Sequence, residues 1–412
     1  MHLYCAAFGV SERALIKNGG VVMKKSLFAL IAVILSLSLT LVACGNSTLS
    51  SSSEAKKSTG NSSSLSSSSV ATVSADDEMA EFVAKYLEGK GLKDDGTPYK
   101  VGLCFADLIT EYVINLSEYL KLMLTQAGCE IVTAQSEMDV RVEDAAIDDF
   151  ISNKCDVVVI HAVDSAGSSA AIKRLNDANI PVICIIRTVE NVEYEMYVST
   201  SDNVQTGRKA MQYLADAADG KEVEIATVQG YMGASDAYLR EEGYVGVIGE
   251  NANMKYVSEN PCEWDQQSAE AAISDALVAH PNLWGIASHS DGMAPGVYSA
   301  LRQANKTAKV GQEGHIFWAS IDGAPYALNL IREGVMDCTI EQSPLTASTI
   351  TAKAILDYIL KGIPMGGIAA DVPTSIITSE NVDEPGLWGN YSIESKSLWS
   401  RTEEIWNSSL NL

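Results

Sequence analysis

The chain has 412 residues, with 29 Lys and Arg against 53 Asp and Glu, giving a formal net charge of −24 and an isoelectric point near 4.5. Such a surface repels polyanions, which excludes the clustered-cation mode of nucleic-acid binding. The part able to fold runs from about Glu78 to about Ser400, too long for one typical domain and comfortable for two.

The first 22 residues, "MHLYCAAFGVSERALIKNGGVV", fit no element that follows, so residues 1–22 are read as a mis-assigned start, with Met23 the true one. Next comes "MKKSLFALIAVILSLSLTLVA". Lys24 and Lys25 precede an apolar run from Leu27 to Val42, the layout of a secretory signal over residues 23–43. A run this long is borderline for spanning a bilayer, so an uncleaved anchor is the alternative. Its end decides between them: Leu41-Val42-Ala43-Cys44-Gly45 resembles a bacterial lipobox. That resemblance implies lipidation of the Cys44 sulfur and cleavage that leaves Cys44 as the N-terminus. Two acyl chains anchor stably where one is marginal. Residues 44–76 are serine-rich and cannot bury a core. As a flexible tether they span roughly 30 Å r.m.s.. The expected location is the extracellular face of the cell membrane, with the chain lipid-anchored.

From Tyr99 onward short apolar runs alternate with amphipathic ones. "KVGLCFA" reads as a strand. In "TEYVINLSEYLKLMLTQAG", Tyr112, Val113, Leu116, Leu120, Met123 and Leu124 recur at helical spacing. "CEIVTA", "CDVVVIHAV", "IPVICII", "VEIATVQ", "MKYVSE", "LWGIAS", "HIFWASI" and "MDCTIE" read as further strands, separated by helical stretches such as "SSAAIKRLNDAN" and "YLREEGYVGVIGE". Continuously apolar strands belong to parallel sheets covered on both faces. The class is α/β, with two doubly wound parallel sheets. The tail, residues 396–412, is unassigned; Trp399 and Trp406 are its candidates for docking on a lobe. Six cysteines remain after Cys44: Cys104, Cys129, Cys155, Cys184, Cys262 and Cys338. An even count invites disulfides. However, Cys104 and Cys184 fall inside strands, no CxxC pair occurs, and a long core needs no staples. Mostly free, buried thiols are expected.

In doubly wound folds ligands bind beyond the carboxyl ends of the strands. Those positions hold Asp107, Thr110, Tyr112, Asp164, Arg187, the run Tyr231 to Arg240, Trp264, Asp265, Ser290, Asp291, Asp322 and Gln342. Carboxylates, guanidinium groups and amides suit hydroxyls, and aromatic rings suit an apolar sugar face. Asp164 and Asp291 are expected to cap the helices after them, and Asp202 and Asn203 to support a helix start.

The stretches "VDSAGSSAAIKRLNDANIPVICIIR", "STSDNVQTGRKAMQYL", "SHSDGMAPGVYSAL", "SIDGAPYALNLIREG" and "ITSENVDE" carry a more specific likeness. From Tyr99 to about Glu384 the chain resembles the ribose/galactose-type periplasmic sugar-binding proteins. The resemblance implies two lobes joined by a three-strand hinge that close on a ligand. One lobe would be residues 77–200 with 343–372, the other 201–342 with 373–395. It implies ligand-binding roles for Thr110, Tyr112, Arg187, Arg240, Trp264 as a stacking ring, Ser290, Asp322 and Gln342. The chain departs from the pattern at Ile186, where Asp is usual, at Ser290 for Asn, at Ile321 for Phe, and at Val113 for an aromatic. These changes point away from ribose or a common hexose and toward another polyol, a modified sugar or a furanose. An ABC import permease is the implied partner, with no cofactor and a monomeric state.

Two competing classes remain. The five histidines, His2, His161, His280, His289 and His315, show no metal-ligand spacing, so no metal site is expected. His289-Ser290-Asp291 holds three triad residue types, but neighbours on a strand end point in different directions. With no G-x-S-x-G elbow or phosphate loop, no catalytic residue is assigned and an enzyme is the minor alternative. A ligand sensor signalling to a membrane receptor kinase is the other.

Overall fold

The computed structural model describes residues 75–199, 201–391 and 396–410. Cys44, the signal-like segment and nearly all of the serine-rich stretch lie outside them. In chain order the strands are β1 (Lys100–Phe105), β2 (Glu130–Gln135), β3 (Val157–His161), β4 (Val182–Ile185), β5 (Met196–Ser199), β6 (Val223–Gln229), β7 (Met254–Pro261), β8 (Leu283–Ser288), β9 (Phe317–Asp322), β10 (Cys338–Gln342), β11 (Ile368–Asp371) and β12 (Thr374–Ile377). The helices are α1 (Ala75–Phe82), α2 (Glu111–Gln126), α3 (Val140–Ser152), α4 (Ser169–Asp177), α5 (Asn203–Ala218), α6 (Ser235–Glu250), α7 (Gln266–Ala279), α8 (Ala294–Gln303), α9 (Pro325–Glu333), α10 (Pro344–Lys353) and α11 (Lys396–Ser408).

Two six-stranded sheets result, in the orders β11-β5-β4-β3-β1-β2 and β12-β10-β9-β8-β6-β7. All pairings are parallel except that of the edge strand β12, which runs antiparallel to β10. Successive strand side chains face opposite ways, and the cores follow that alternation. Val101, Leu103, Val157, Val159, Ile183 and Ile185 meet the layer of α2 and α10. Cys104, Val158, Ile160, Val182 and Cys184 meet α3 and α4. The second sheet is covered likewise by α5 and α6 on one face and by α7, α8 and α9 on the other. This is the two-lobed doubly wound architecture expected from the sequence. As far as β12 the described chain crosses between the lobes three times, from β5 to α5, from β10 to α10 and from β11 to β12, and it returns once more to place α11 on the first lobe.

The tail has a place. Trp399 and Trp406 on α11 lie 5.5 and 5.8 Å from Phe82 on α1, inside the core of the first lobe. Lys353 at the end of α10 donates from Nζ to the Trp406 carbonyl at 2.6 Å and to that of Ser409. A cation thus meets the orphan carbonyls at the end of α11. The six cysteines from Cys104 to Cys338 are all buried and form no disulfide. Burial pushes the Cys104 and Cys129 thiols up to about 12 and those of Cys155 and Cys262 to about 11.

Candidate functional site

The switch in strand order, β2-β1-β3 in one lobe and β7-β6-β8 in the other, leaves a crevice at the carboxyl ends of both sheets. The crevices face each other and enclose a narrow cavity of about 30 Å³ between the closed lobes. All eight residues singled out in the sequence line it: Thr110, Tyr112, Arg187, Arg240, Trp264, Ser290, Asp322 and Gln342. Asp107, Val113, His161, Ile186 and Asp236 join them. Thr110 also caps α2, accepting from Val113 N at 3.3 Å.

Backbone strain aims several of these side chains. Ile186 has φ 68°, rare for a β-branched residue. The Arg187 N–H donates to Ile185 O at 2.8 Å across it, a three-residue γ-turn of the strained hand. Tyr197 Oη donates to Ile186 O at 3.0 Å and holds the turn. Arg187 is thereby turned into the crevice and nearly fully buried. Glu263 and Trp264 are both left-handed, at φ 52° and 66°, and the indole lies across Gly230, where any Cβ would overlap it. The Arg187 and Arg240 guanidinium carbons each sit 5.9 Å from the Trp264 ring centroid, within cation–π range. Asp322 has φ 132°. Such conformations cost of order 1–3 kcal/mol each and persist where surroundings over-determine them, commonly at binding sites.

The lobes are bridged across the cavity mouth. Arg187 Nε donates to Asp236 Oδ1 on α6 at 3.1 Å, with both side chains almost inaccessible. Thr188 N donates to Ser235 Oγ at 2.8 Å, Ser165 N to Gly233 O at 3.0 Å, and Tyr231 Oη to Asp164 Oδ2 at 3.0 Å. The structure is therefore a closed form. Asp164 does not cap α4, which starts after Ser168. Its carboxylate accepts from Ala166 N and Gly167 N, and its other oxygen takes the Tyr231 bridge. Asp202 does cap α5, accepting from Gln205 N. Asn203 Oδ1 accepts from Arg240 Nε at 3.0 Å and fixes that guanidinium.

Asp322 accepts from Ser290 Oγ at 2.5 Å, Gln342 Nε2 at 2.5 Å and Asp291 N at 3.2 Å, so it is held as an acceptor rather than capping α9. Asp291 is not a cap of its own helix either. Its Oδ2 accepts from Gly323 N at 2.8 Å and Ala324 N at 2.9 Å, tying the β9–α9 turn from below. Burial, then the Asp322 charge, pushes the Asp291 carboxyl well above the usual carboxylate range. Burial also raises Asp322, against Arg240 and its hydrogen-bond donors. The neighbouring triad types engage three different partners: His289 Nε2 meets Glu241 at 3.1 Å, Ser290 meets Asp322, and Asp291 meets the turn.

Four buried polar atoms on cavity-lining residues have no partner: Tyr112 Oη, Trp264 Nε1, and both ring nitrogens of His161. An unpaired buried polar group costs about 1–3 kcal/mol, so these four atoms are open to a hydrogen-bonding partner in the cavity. His161 escaped the sequence reading, and Asp236 was covered only inside the run Tyr231 to Arg240, with no role of its own. His161 closes an apolar strand run and passes for core, though a polar residue at the carboxyl end of a parallel strand was the available signal. Asp236 sits in the first turn of α6, where an acidic residue passes for a helix-end charge.

Two outcomes are expected. Because its raised pKa means the folded state holds the Asp291 proton more tightly, that contribution is complete below about pH 4 and erodes as pH rises through the raised value. Urea unfolding from pH 5 to 9 should therefore show the stability of Asp291→Asn falling less than that of the wild type; parallel curves would mean the carboxyl stays ionised. Asp236→Asn leaves a buried guanidinium without its counter-charge, a loss of about 3–5 kcal/mol for such pairs. Small-angle scattering should give it a larger radius of gyration than the wild type, and equal radii would show that the bridge does not hold the lobes together.

Comparison with known proteins agrees with this geometry. The ribose import binding protein of Bacillus subtilis (strain 168) is 25% identical over 264 residues, spanning 64% of this chain and 82% of that protein. Its counterpart from Escherichia coli (strain K12) is 26% identical over 264 residues, spanning 64% and 85%. The crystal structure of a galactofuranose binding protein matches with a TM-score of 0.65 at 20% identity, covering 75% of this chain and 99% of that one. These relatives are binding proteins and not enzymes. The match to the periplasmic binding protein domain family extends over residues 101–363, and the chain belongs to that family.

Proposed function

We propose that the chain is an extracellular solute-binding lipoprotein that closes two lobes over a sugar or sugar-like polyol and delivers it to an ABC import permease. Residues 77–200 with 343–372 form one lobe in this reading, and 201–342 with 373–395 the other. The observation that carries it is the set of unpaired hydrogen-bonding atoms left on a cavity that both lobes wall. Two guanidinium groups, Arg187 and Arg240, face three carboxylates, Asp107, Asp236 and Asp322. Positive charge is thus already balanced, and an uncharged ligand suits the cavity better than an anion. The ribose import relatives support the polyol class and the permease partner. Anchoring rests on the run ending at Cys44.

The eight residues are proposed as ligand contacts, with Asp322 as the acceptor for ligand hydroxyls. A thermal-shift panel of D-ribose, D-allose, L-arabinose, D-galactose, xylitol and myo-inositol tests the class; at 100 times its dissociation constant a ligand stabilises by about 2.7 kcal/mol. Losing a charged hydrogen-bond partner in a desolvated site costs about 1.5–3 kcal/mol. Asp322→Asn should therefore bind the responding polyol about ten- to a hundredfold more weakly by calorimetry while remaining folded. Undiminished affinity would remove Asp322 from the ligand contacts. Labelled fatty acid should enter the wild type and not Cys44→Ala; equal incorporation in both would end the lipoprotein reading.

A further inference from the structure

Behind the second-lobe wall of the cavity lies a chain of hydrogen bonds whose direction is fixed throughout. His289 follows β8, is wholly buried, and packs its ring 5.1 Å from that of Tyr244 and 6.4 Å from that of Trp264. Its Nδ1 faces the Gly230 N–H at 3.2 Å. A backbone N–H only donates, so Nδ1 must accept and carries no proton. The proton of the neutral ring then sits on Nε2, which donates to Glu241 Oε2 at 3.1 Å. Glu241 Oε1 accepts from Tyr256 Oη at 2.6 Å, and Tyr256 in turn accepts from Thr227 Oγ1 at 2.5 Å. Burial disfavours charge on Glu241, but the His289 and Tyr256 donors outweigh it and hold the carboxyl below its usual range.

The Gly230 peptide is the bed on which the Trp264 indole lies: a Cβ there would come within 2.1 Å of the ring. The His289 carbonyl accepts from Arg240 Nη1 at 2.6 Å, and that guanidinium stands 5.9 Å from the same indole. One residue thus fixes the bed of the aromatic ring with its imidazole and the cation beside it with its main chain. The arrangement works in one protonation state. A second proton makes donors of both nitrogens, and Nδ1–H then meets the Gly230 N–H head on. Burial, with the Arg240 charge, holds the imidazole below its usual value against the Glu241 carboxylate. The other ionisable groups around the ring are Asp236 and Tyr244 on α6 and, beyond Glu241, Tyr256 on β7.

We propose that His289 and Glu241 are the positioning pair of the second-lobe binding surface, holding Gly230, and through it the Trp264 ring, in place for a ligand, and letting that surface go when the His289 ring gains a second proton. Ligand is then held at neutral pH and released in acid. This rests on Trp264 as a contact in the polyol reading above and adds the parts that set its position.

The test uses the full-length chain. The wild type, His289→Phe, His289→Gln and Glu241→Gln are titrated by calorimetry between pH 8 and pH 4.5 with whichever of the six neutral polyols raises the wild-type unfolding temperature. Phe keeps a ring and loses both nitrogens, while Gln keeps one acceptor and one donor and cannot ionise. At pH 7.5 the polyol should bind His289→Phe about tenfold more weakly, with much of the loss recovered in His289→Gln. As the pH falls through the lowered imidazole value, the wild type should lose affinity and His289→Gln should lose less. In Glu241→Gln, which lacks the charge that favours the second proton, the loss should start at a lower pH. The carboxylates of the cavity remain in all four proteins, so differences among the profiles belong to His289. In parallel, nitrogen-15 resonances of the His289 ring in the labelled wild type should show Nδ1 bare and Nε2 protonated at pH 7.5, and should shift over the same pH range as the affinity, a readout independent of how the variants fold. If the wild type and His289→Gln give parallel pH profiles, if His289→Phe binds as tightly as the wild type, or if Nδ1 carries the proton at pH 7.5, this inference is wrong and the polyol reading stands. If no polyol binds the wild type, the polyol reading fails and takes this inference with it.

Discussion

A guanidinium from one lobe meets a carboxylate from the other, and the closed cavity depends on that meeting. Arg187 and Asp236 come from elements 49 residues apart in the chain, and their ion pair is almost wholly out of solvent. A buried pair contributes little net stability relative to an apolar contact, but losing one partner is expensive. Its value here is conditional. Opened to water the two charges are solvated separately at little cost, and closed they must find each other. The pair therefore penalises misaligned closure more than it rewards closure itself, which gives the cavity a defined shape.

The turn that delivers Arg187 is itself strained, and so are the backbones at Trp264 and Asp322. The three sit at the ends of β4, β7 and β9, on both lobes. A parallel strand that ran on straight would carry the next side chain past the crevice. The left-handed step at each of these ends bends it inward instead. The rigid sheets, buried on both faces, supply the packing that keeps such conformations in place. Gly230 contributes by lacking a side chain, which lets the Trp264 ring lie against the main chain.

The periodic elements were legible in the sequence because each carries its own pattern. The apolar run of β3 and the stripe along α2 need no tertiary information. The strand-end residues followed from those assignments. The residues that escaped are those whose role is set by distant partners. Asp291 has the spacing of a cap, yet its oxygens reach the β9–α9 turn. Asp164 resembles a cap too, and half of it serves the other lobe. His161 hides inside an apolar run, and Asp236, in the first turn of α6, is defined by its pairing with Arg187 of the other lobe. Trp388, whose indole donates to Asp322 O at 2.6 Å from a loop without periodicity, gave no local signal at all.

The six buried thiols have a consequence for the life history of the molecule. In the folded protein the burial that raises their pKa values leaves almost no thiolate, and thiolate is the species that oxidises and exchanges. An unfolded chain exposes the same six groups near a pKa of about 8.5, several per cent ionised at neutral pH and free to cross-link in wrong pairs. Chemical vulnerability is thus concentrated in the interval before the two cores form and nearly absent afterwards. Speed of folding, rather than redox chemistry of the native state, then decides how much protein survives in an oxidising environment.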